Sequence, residues 1–432
     1  MATAGFAVGL GNIWRFPYVM GESGGGAFLL VYVAFAVLIG IPLMTAEMSL
    51  GRKAQLSPIA GMRKLTGSAW SPWNLFGWMG VITAFLISAY YVMLLAWIVG
   101  YFVMITTGSM SVGSPDDFQA SFDSFVAQPL PVLGYELLIV VFMAALVGRG
   151  LEGGVERVAK IGMPVLFGML LILMIRSLTF PGASEGIAWY LTPDFSKLDG
   201  DVVLAALGQA FYSIGIGMAA AFGFGSYLEP DRSALPGSAA MIVAFDTGIA
   251  IIAGFVIFPA LFAFDIAPDT GPALLFVTLP NLFAQMPAGQ LFGAAFFFLM
   301  LIAGVTSAMA LLEVLTATVK DSLGLERRTA VWVVAAAWFL TSLPIVLSQG
   351  PWSHITMAGR DLFGVVDYLT GSFTLAIGGL LLSLYAAFAW GWERFRDETN
   401  VGSRTVKVNI TWKPFMLVVI PVAVATVLVA GL

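Results

Sequence analysis

The residues of this sequence best suited to chemistry lie inside apolar segments. Residues 5–17 are apolar but contain Asn12, Arg15 and several glycines, and residues 208–217 repeat the pattern about two hundred positions later, with Ser213 near the middle. In a bilayer, unwound backbone is tolerated only where it is buried in protein or lines a cavity. Its free carbonyl oxygens can ligate a cation, and the ends of the half-helices can face charged groups. The paired interruptions therefore indicate a transport site within the membrane.

Further polar residues lie in other apolar segments. Asp246 is costly there unless it pairs with a cation, so we expect it to be functional. For Glu47 we favour a structural role in hydrogen bonding. Thr306 and Ser307 could merely bond back to their own helix. Tyr91 lies well inside its segment, where a site role and a structural role are about equally plausible.

The composition identifies the class of protein. Of the 432 residues, 59% are hydrophobic and 10% are charged, and the mean hydropathy is +0.93. These values exclude an ordinary soluble domain and indicate a polytopic helical membrane protein. With the opening segment, apolar runs near the roughly 20 residues needed to cross a bilayer predict eleven helices. The other ten are predicted at 27–51, 75–106, 131–148, 158–178, 200–228, 236–264, 288–322, 328–348, 361–392 and 413–432.

The basic residues predict the orientation. With the N-terminus in the cytoplasm, only Arg15, Arg176, Lys197 and Arg360 fall in helices or outer connections. The remaining basic residues fall in inner connections, as the positive-inside rule requires. An odd number of helices then places the C-terminus outside. Because so few residues precede position 5, we also expect the natural chain to begin earlier.

Several classes of function are disfavoured. The chain has no cysteine, which excludes disulfides and thiolate metal sites. The net charge of −5 and the absence of a basic stripe argue against nucleic acid. The single histidine, His354, lies in a predicted outer loop, and no convincing nucleophile–base pair or phosphate loop is found. We expect no enzymatic activity and no obligate protein partner, and the lipid bilayer is the expected surroundings of the chain.

Residues 7–17, with 24–28 and 40–44, resemble the neurotransmitter:sodium symporter family, and in particular its bacterial amino-acid transporters. The resemblance continues in order through Tyr90, Tyr91, Gly208, Gln209, 303–307 and Asp367. It implies an all-α polytopic membrane protein, a single transporter domain over 1–432. Two inverted five-helix repeats, at about 1–178 and 200–392, would contain the broken helices 1 and 6, and the eleventh helix would be 413–432.

The resemblance also implies two sodium sites. The first would consist of Ala7, Asn12, Ser213, Asp246 and the carboxylate of the substrate. The second would consist of Gly5, Val8, Ala303, Thr306 and Ser307. All of these supply oxygen ligands, as a hard cation requires.

The substrate site and the outer gate follow from the same resemblance. The substrate would be bound by Phe6, Ala7, Leu10, Gly11, Ile87, Tyr91, Tyr212, Ser213, Gly215, Met218, Ser307 and Leu311. Arg15 and Asp367 would form the outer gate pair, and Tyr91 and Tyr212 its aromatic lid. Tyr32, Gln209, Ser213 and Asp246 would be equivalent to residues at or beside the chloride site of animal relatives.

Two departures from the family pattern refine the function. Asp246 stands where the best-known bacterial leucine transporter has asparagine, and its charge would replace that of chloride, so we expect chloride independence. Gly215 and Met218 replace bulkier or polar pocket residues and leave room for a large apolar side chain of the substrate. Phe6 would occupy part of that room. We therefore expect sodium-coupled symport of hydrophobic or aromatic amino acids across the bacterial inner membrane.

Three alternatives stay open. A β-amino acid or an amine could be the substrate, although an amine would call for an acid near Phe6. A sensor on the same fold would bind substrate with sodium but not accumulate it, and a channel would carry flux that does not saturate. An intramembrane enzyme would turn its substrate over, but Glu47, Asp246 and Glu313 are scattered over different helices.

Overall fold

A computed structural model describes residues 9–110, 115–149, 152–229, 234–403 and 406–431. Over these residues the chain is helical and contains no β-strand. The main helices are α1 (11–22), α2 (Gly26–Ala54), α3 (Pro58–Thr66), α4 (Pro72–Thr107), α5 (Pro115–Val126), α6 (Pro129–Gly148), α7 (Glu152–Leu178), α8 (Ala183–Leu191), α9 (Gly200–Ile214), α10 (Ala220–Ser226), α11 (Leu235–Ala263), α12 (Gly271–Ala284), α13 (Gly289–Leu323), α14 (Arg327–Ser348), α15 (Leu362–Asn400) and α16 (Trp412–Ala430).

Nine helices in the described part of the chain are long and apolar enough to cross a membrane. They are α2, α4, α6, the 160–178 part of α7, α11, α13, α14, α15 and α16. They match nine of the predicted spans, and the two remaining predictions fall on the interrupted helices α1 and α9–α10. The predicted connection 265–287 contains the short helix α12. The boundaries predicted for the repeats, 1–178 and 200–392, stay a prediction.

The second interruption lies between α9 and α10, where the chain turns at two glycines. Gly215 and Gly217 have φ of +77° and +79°, in the left-handed region that favours glycine. A Cβ on Gly217 would also lie 2.5 Å from the carbonyl oxygen of Leu375. Glycine at 217 is therefore required both by the backbone conformation and by the approach of α15.

Glu47 supports the restart of this helix at α10. Its carboxylate, fully buried in α2, accepts hydrogen bonds from the backbone N–H groups of Gly217 at 3.1 Å and Phe222 at 3.3 Å. Unsatisfied N–H groups at a helix start are costly in a membrane. Glu47 thus has the structural role that the sequence favoured.

The described start of α1, next to the first predicted interruption, packs directly against the second interruption. Residues 11–15 form a wide helical turn before the regular part of α1 begins at Phe16. A Cβ on Gly11 would lie 3.3 Å from both the Cα of Ser213 and the ring of Tyr212. The absence of a side chain at Gly11 therefore lets the two interrupted helices meet at the centre of the molecule.

Candidate functional site

A cavity of about 50 Å³ lies where the start of α1 meets the second interruption. It is lined by Gly9, Leu10, Gly11, Asn12, Ile87, Tyr91, Tyr212, Ser213, Gly215, Met218, Ser307 and Leu311. These include every predicted substrate residue that the structure describes. Phe6 and Ala7 lie outside the described residues. Helices α4 and α13 each contribute one apolar and one hydroxyl-bearing side chain, Ile87 with Tyr91 and Leu311 with Ser307.

A buried carboxylate lies beside this cavity. Asp246 of α11 is fully buried, and its Oδ1 accepts hydrogen bonds from Asn12 Nδ2 at 2.7 Å and from Ser213 Oγ at 3.0 Å. Its Oδ2 has no hydrogen-bond partner among the described residues, and no described basic side chain forms an ion pair with it. The carboxylate therefore offers an uncompensated negative charge and a free oxygen, which suit a cation.

Asn12 links this carboxylate to the first interruption. Its Nδ2 also donates to Ser213 Oγ at 3.0 Å and to the carbonyl oxygen of Asp246 at 2.9 Å, while its Oδ1 accepts from Gly9 N at 3.1 Å. The N–H group of Asn12 thus faces the carboxylate. The oxygen of Asn12 can therefore bind a cation at Asp246 only after the side-chain amide rotates by half a turn. The two ends of an amide have nearly the same shape, so this rotation fits the same space.

The residues predicted for a second cation site are only partly described. Thr306 Oγ1 and Ser307 Oγ donate to the carbonyl oxygen of Ala303 at 2.8 and 3.3 Å, which is the bonding back to their own helix that the sequence allowed. Ser307 also faces the first interruption, since a Cβ on Gly9 would lie 2.8 Å from its hydroxyl oxygen. Gly5 and Val8 lie outside the described residues.

A buried ion pair closes one side of the cavity. Arg15 Nε lies 3.0 Å from Asp367 Oδ1, and Arg15 Nη2 lies 3.3 Å from Asp367 Oδ2. The guanidinium stands over the ring of Tyr212, 4.6 Å from its centroid. The two residues are only 4% and 9% exposed, so this pair is largely shielded from water. The structure therefore brings together the predicted gate residues Arg15, Asp367 and Tyr212, and Tyr91 lines the cavity beneath.

Two further residues form hydrogen bonds with this ion pair. The sequence alone did not assign either of them to it. Gln209 accepts from Arg15 Nη1 at 2.7 Å and donates to the carbonyl oxygen of Gly11 at 2.9 Å, so it connects the ion pair to the first turn of α1. The hydroxyl of Tyr18 donates to Asp367. Tyr18 is three positions from Arg15 in a helix, and this spacing was the available signal that the two share a face.

Of the four residues equivalent to the chloride site of animal relatives, Tyr32, Ser213 and Asp246 face one another. Ser213 bonds to Asp246, whereas Gln209 bonds to Arg15 and Gly11. Tyr32 is fully buried, its ring 5.0 Å from that of Phe16, and its hydroxyl has no hydrogen-bond partner among the described residues.

Another polar network lies away from the cavity, at the junction of α10, α13 and α14. Arg327 forms two contacts of 2.7 Å with the carboxylate of Glu313 and also donates to the carbonyl oxygen of Val147 at 3.3 Å. Tyr227 donates to the same carboxylate at 2.8 Å. The sequence left Glu313 unassigned. In the structure its carboxylate links the end of α10 to α14 through Tyr227 and Arg327.

Comparison with known proteins identifies the family. A model of the sodium:neurotransmitter symporter family matches residues 1–117 and 128–432. The chain is 36% identical over 428 residues to YhdH, an uncharacterized sodium-dependent transporter of Bacillus subtilis (strain 168), and the match covers 99% of this chain and 94% of the relative. An uncharacterized sodium-dependent transporter of Haemophilus influenzae is 33% identical over 444 residues, covering 100% of this chain and 96% of the relative.

A solved structure shares the whole architecture. The crystal structure of MhsT in complex with L-phenylalanine superposes with a TM-score of 0.94 at 38% identity, and the match covers 100% of this chain and 97% of that chain. This likeness confirms the all-α polytopic fold expected from the sequence. The chain therefore belongs to the sodium:neurotransmitter symporter family, and it is a sodium-dependent membrane transporter rather than an enzyme.

Proposed function

We propose that this transporter carries amino acids with apolar or aromatic side chains into the cell together with sodium, by alternating access. One observation carries the proposal: an apolar-walled cavity at two helix interruptions lies beside the uncompensated carboxylate of Asp246. A cavity with apolar walls and a few convergent polar groups is typical of small-molecule sites. That MhsT binds L-phenylalanine at 38% identity supports the same substrate class.

Two sodium sites would lie beside the substrate. The first would consist of Asn12, Ser213, Asp246, the carbonyl oxygen of Ala7 and the carboxylate of the substrate, and the second of Ala303, Thr306, Ser307 and the carbonyl oxygens of Gly5 and Val8. The oxygen-only ligand set suits sodium. The free Oδ2 of Asp246 supports the first site most directly.

The substrate would lie across the cavity, with its carboxylate near Gly11 and Tyr91 and its side chain among Ile87, Met218 and Leu311. Because its carboxylate completes the first sodium shell, each ligand would raise the affinity of the other by the same factor. Inward movement of charge would also draw on the membrane potential, about 2.3 kcal/mol per charge per 100 mV.

The closed ion pair between Arg15 and Asp367 would be the outer gate, with Tyr91 and Tyr212 as its lid. This assignment requires the cytoplasmic N-terminus and the outer C-terminus that the basic residues predict. The bacterial inner membrane would then be the site of uptake.

A binding panel tests the proposal. The purified transporter should bind one or a few apolar or aromatic amino acids among the twenty, and the binding should disappear when potassium replaces sodium. Reconstituted vesicles should then accumulate the same amino acid against its gradient. Binding that does not depend on sodium would refute the coupling, and sodium-dependent binding without accumulation would identify a sensor.

Chloride should not be needed for uptake, because the carboxylate of Asp246 already supplies a negative charge at the first sodium site. Replacing chloride by gluconate on both sides of the vesicle membrane should leave the initial rate of uptake unchanged within error. A clear loss of uptake in gluconate would show that the Asp246 charge does not substitute for the anion. Replacing sodium by potassium in the same vesicles provides the positive control for a loss.

A further inference from the structure

A second buried carboxyl group lies away from the transport cavity, between α6 and α14. Glu136 is fully buried in α6, and its Oε1 contacts the hydroxyl of Ser342 in α14. Its Oε2 has no hydrogen-bond partner among the described residues. Glu136 lies seven residues into a membrane span, about 10 Å from the start of the helix. An ionisable residue at such a depth calls for a specific explanation.

The hydrogen bonds of Ser342 bear on the protonation of Glu136. Ser342 Oγ also lies 3.1 Å from the carbonyl oxygen of Phe339, which can only accept. A serine hydroxyl has one proton to donate. If that proton goes to Phe339, the contact with Glu136 is a hydrogen bond only when Glu136 itself donates. A carboxylate cannot donate, whereas a carboxylic acid can.

The surroundings provide no other way to neutralise a charge on Glu136. No ion pair joins it to any described residue, and among the described residues no group of three or more metal-binding side chains occurs. Among the described residues, the hydrogen bonds at this carboxyl group involve only Ser342, and through it the carbonyl oxygen of Phe339. An ionised and unpaired carboxylate in this position would cost several kcal/mol.

The helices packed against α6 carry other titratable groups, but these lie elsewhere. They are Tyr90, Tyr91 and Tyr101 on α4, Asp116, Asp117 and Asp123 on α5, Glu313, Lys320 and Asp321 on α13, and Arg327 and Arg328 on α14. The tyrosines contact the cavity or aromatic rings, and the three aspartates of α5 are exposed. Arg327, which pairs with Glu313, is fifteen residues from Ser342, about 22 Å along α14.

We propose that Glu136 is a proton-binding site of this transporter, separate from the sodium sites, and that it keeps its proton throughout the transport cycle. The neutral acid donates to Ser342, which donates in turn to Phe339, and this chain of hydrogen bonds ties α6 to α14. The proton has a structural role: it allows a carboxyl group to join two membrane helices without a buried charge. Glu136 therefore adds no charge to the movement of sodium.

Infrared difference spectroscopy tests the protonation directly. The spectrum of the wild-type transporter minus that of Glu136→Gln should contain the C=O band of a protonated carboxylic acid at neutral pH. In Ser342→Ala this band should persist but shift in frequency, because the acid loses its hydrogen-bond acceptor. Carboxylate bands in place of the acid band would overturn the proposal. Asp246 and Glu47 are present in all three proteins, so their bands cancel.

The pH dependence of stability gives an independent test. An exposed glutamate is ionised above about pH 4.3, so unfolding releases the proton of Glu136 and the stability of the wild type falls as pH rises. Glu136→Gln keeps a neutral, hydrogen-bonding side chain, so its stability should not fall with rising pH for this reason. From about pH 6 to about pH 10, the melting temperature of the wild type should fall by about 2 °C or more beyond that of the variant.

The proposal would be contradicted if the melting temperatures of the two proteins changed equally with pH over this range. It would also be contradicted if the difference between the two melting temperatures depended on sodium or potassium rather than on pH. Glu136→Gln should also retain sodium-dependent uptake at a rate within about twofold of the wild type. A loss of uptake confined to this variant would show that Glu136 must ionise during transport. These outcomes are independent of the substrate class, because the infrared test needs no substrate.

Discussion

Replacing Asp246 by alanine is expected to weaken sodium-dependent substrate binding at least a hundredfold, which corresponds to about 2.8 kcal/mol. Asp246 lies beside the cavity without a basic partner among the described residues, and its Oδ1 accepts hydrogen bonds from Asn12 and Ser213. Its removal would delete both the negative charge that attracts the cation and the contact that orients two other ligands. Equilibrium binding of the preferred amino acid, titrated with sodium, measures the effect.

Two control variants separate the charge from the shape. Asp246→Asn keeps the size and the hydrogen-bonding capacity but not the charge, so its sodium affinity should lie between that of the wild type and that of the alanine variant. Asp269→Ala removes an exposed carboxylate from the connection between α11 and α12. This variant should bind sodium and substrate as the wild type does. Unchanged sodium dependence in Asp246→Ala would refute the first sodium site, provided that the variant stays folded.

The apolar runs predicted the spans to within a few residues, except that α15 continues eight residues beyond its predicted end, to Asn400, since a bilayer imposes length and hydropathy on every crossing. The run 236–264, for example, corresponds to Leu235–Ala263. The glycines also revealed the second interruption, because Gly215 and Gly217 adopt positive φ in the structure. These features are local, and a single sequence contains them fully.

The pairing of distant side chains could not be read from local patterns. Arg15 and Asp367 are 352 positions apart, and only the resemblance to a known family suggested that they meet. The resemblance assigned Gln209 only as a chloride-site equivalent, and it did not predict that the amide bonds to Arg15 and to the backbone of Gly11. The choice among possible partners depends on how the helices pack, and that information is absent from periodicity and composition.

The same limit applies to charged groups outside the cavity. Glu313 on α13, Arg327 on α14 and Tyr227 directly after α10 form one network. Glu136 lies on a span whose sequence is otherwise apolar, and its partner Ser342 is 206 positions away. Conversely, Glu47 could be given a structural role from its chemistry alone, because an interrupted helix must leave N–H groups that need an acceptor.

Breaking the pair of Arg15 and Asp367 is expected to open the transporter toward the side on which the pair lies. Removing one partner of a buried ion pair costs about 3–5 kcal/mol, since the other charge stays buried and unpaired. In Asp367→Ala, Arg15 would retain only Gln209 and the ring of Tyr212. This cost falls on the closed state, so an equilibrium that favours closure should shift by at least a hundredfold toward the open state.

Because the chain has no cysteine, a single thiol can report this opening without background. Met218→Cys places the thiol in the cavity wall. With Asp367→Ala added, a membrane-impermeant thiol reagent applied from the outside should react at least tenfold faster, and concentrative uptake should fall at least tenfold. Asp361→Asn is the matched control, because it keeps the hydrogen-bonding group that caps the start of α15. If uptake is lost while the labelling rate stays at the wild-type value, the ion pair is needed for transport but does not close the outer path.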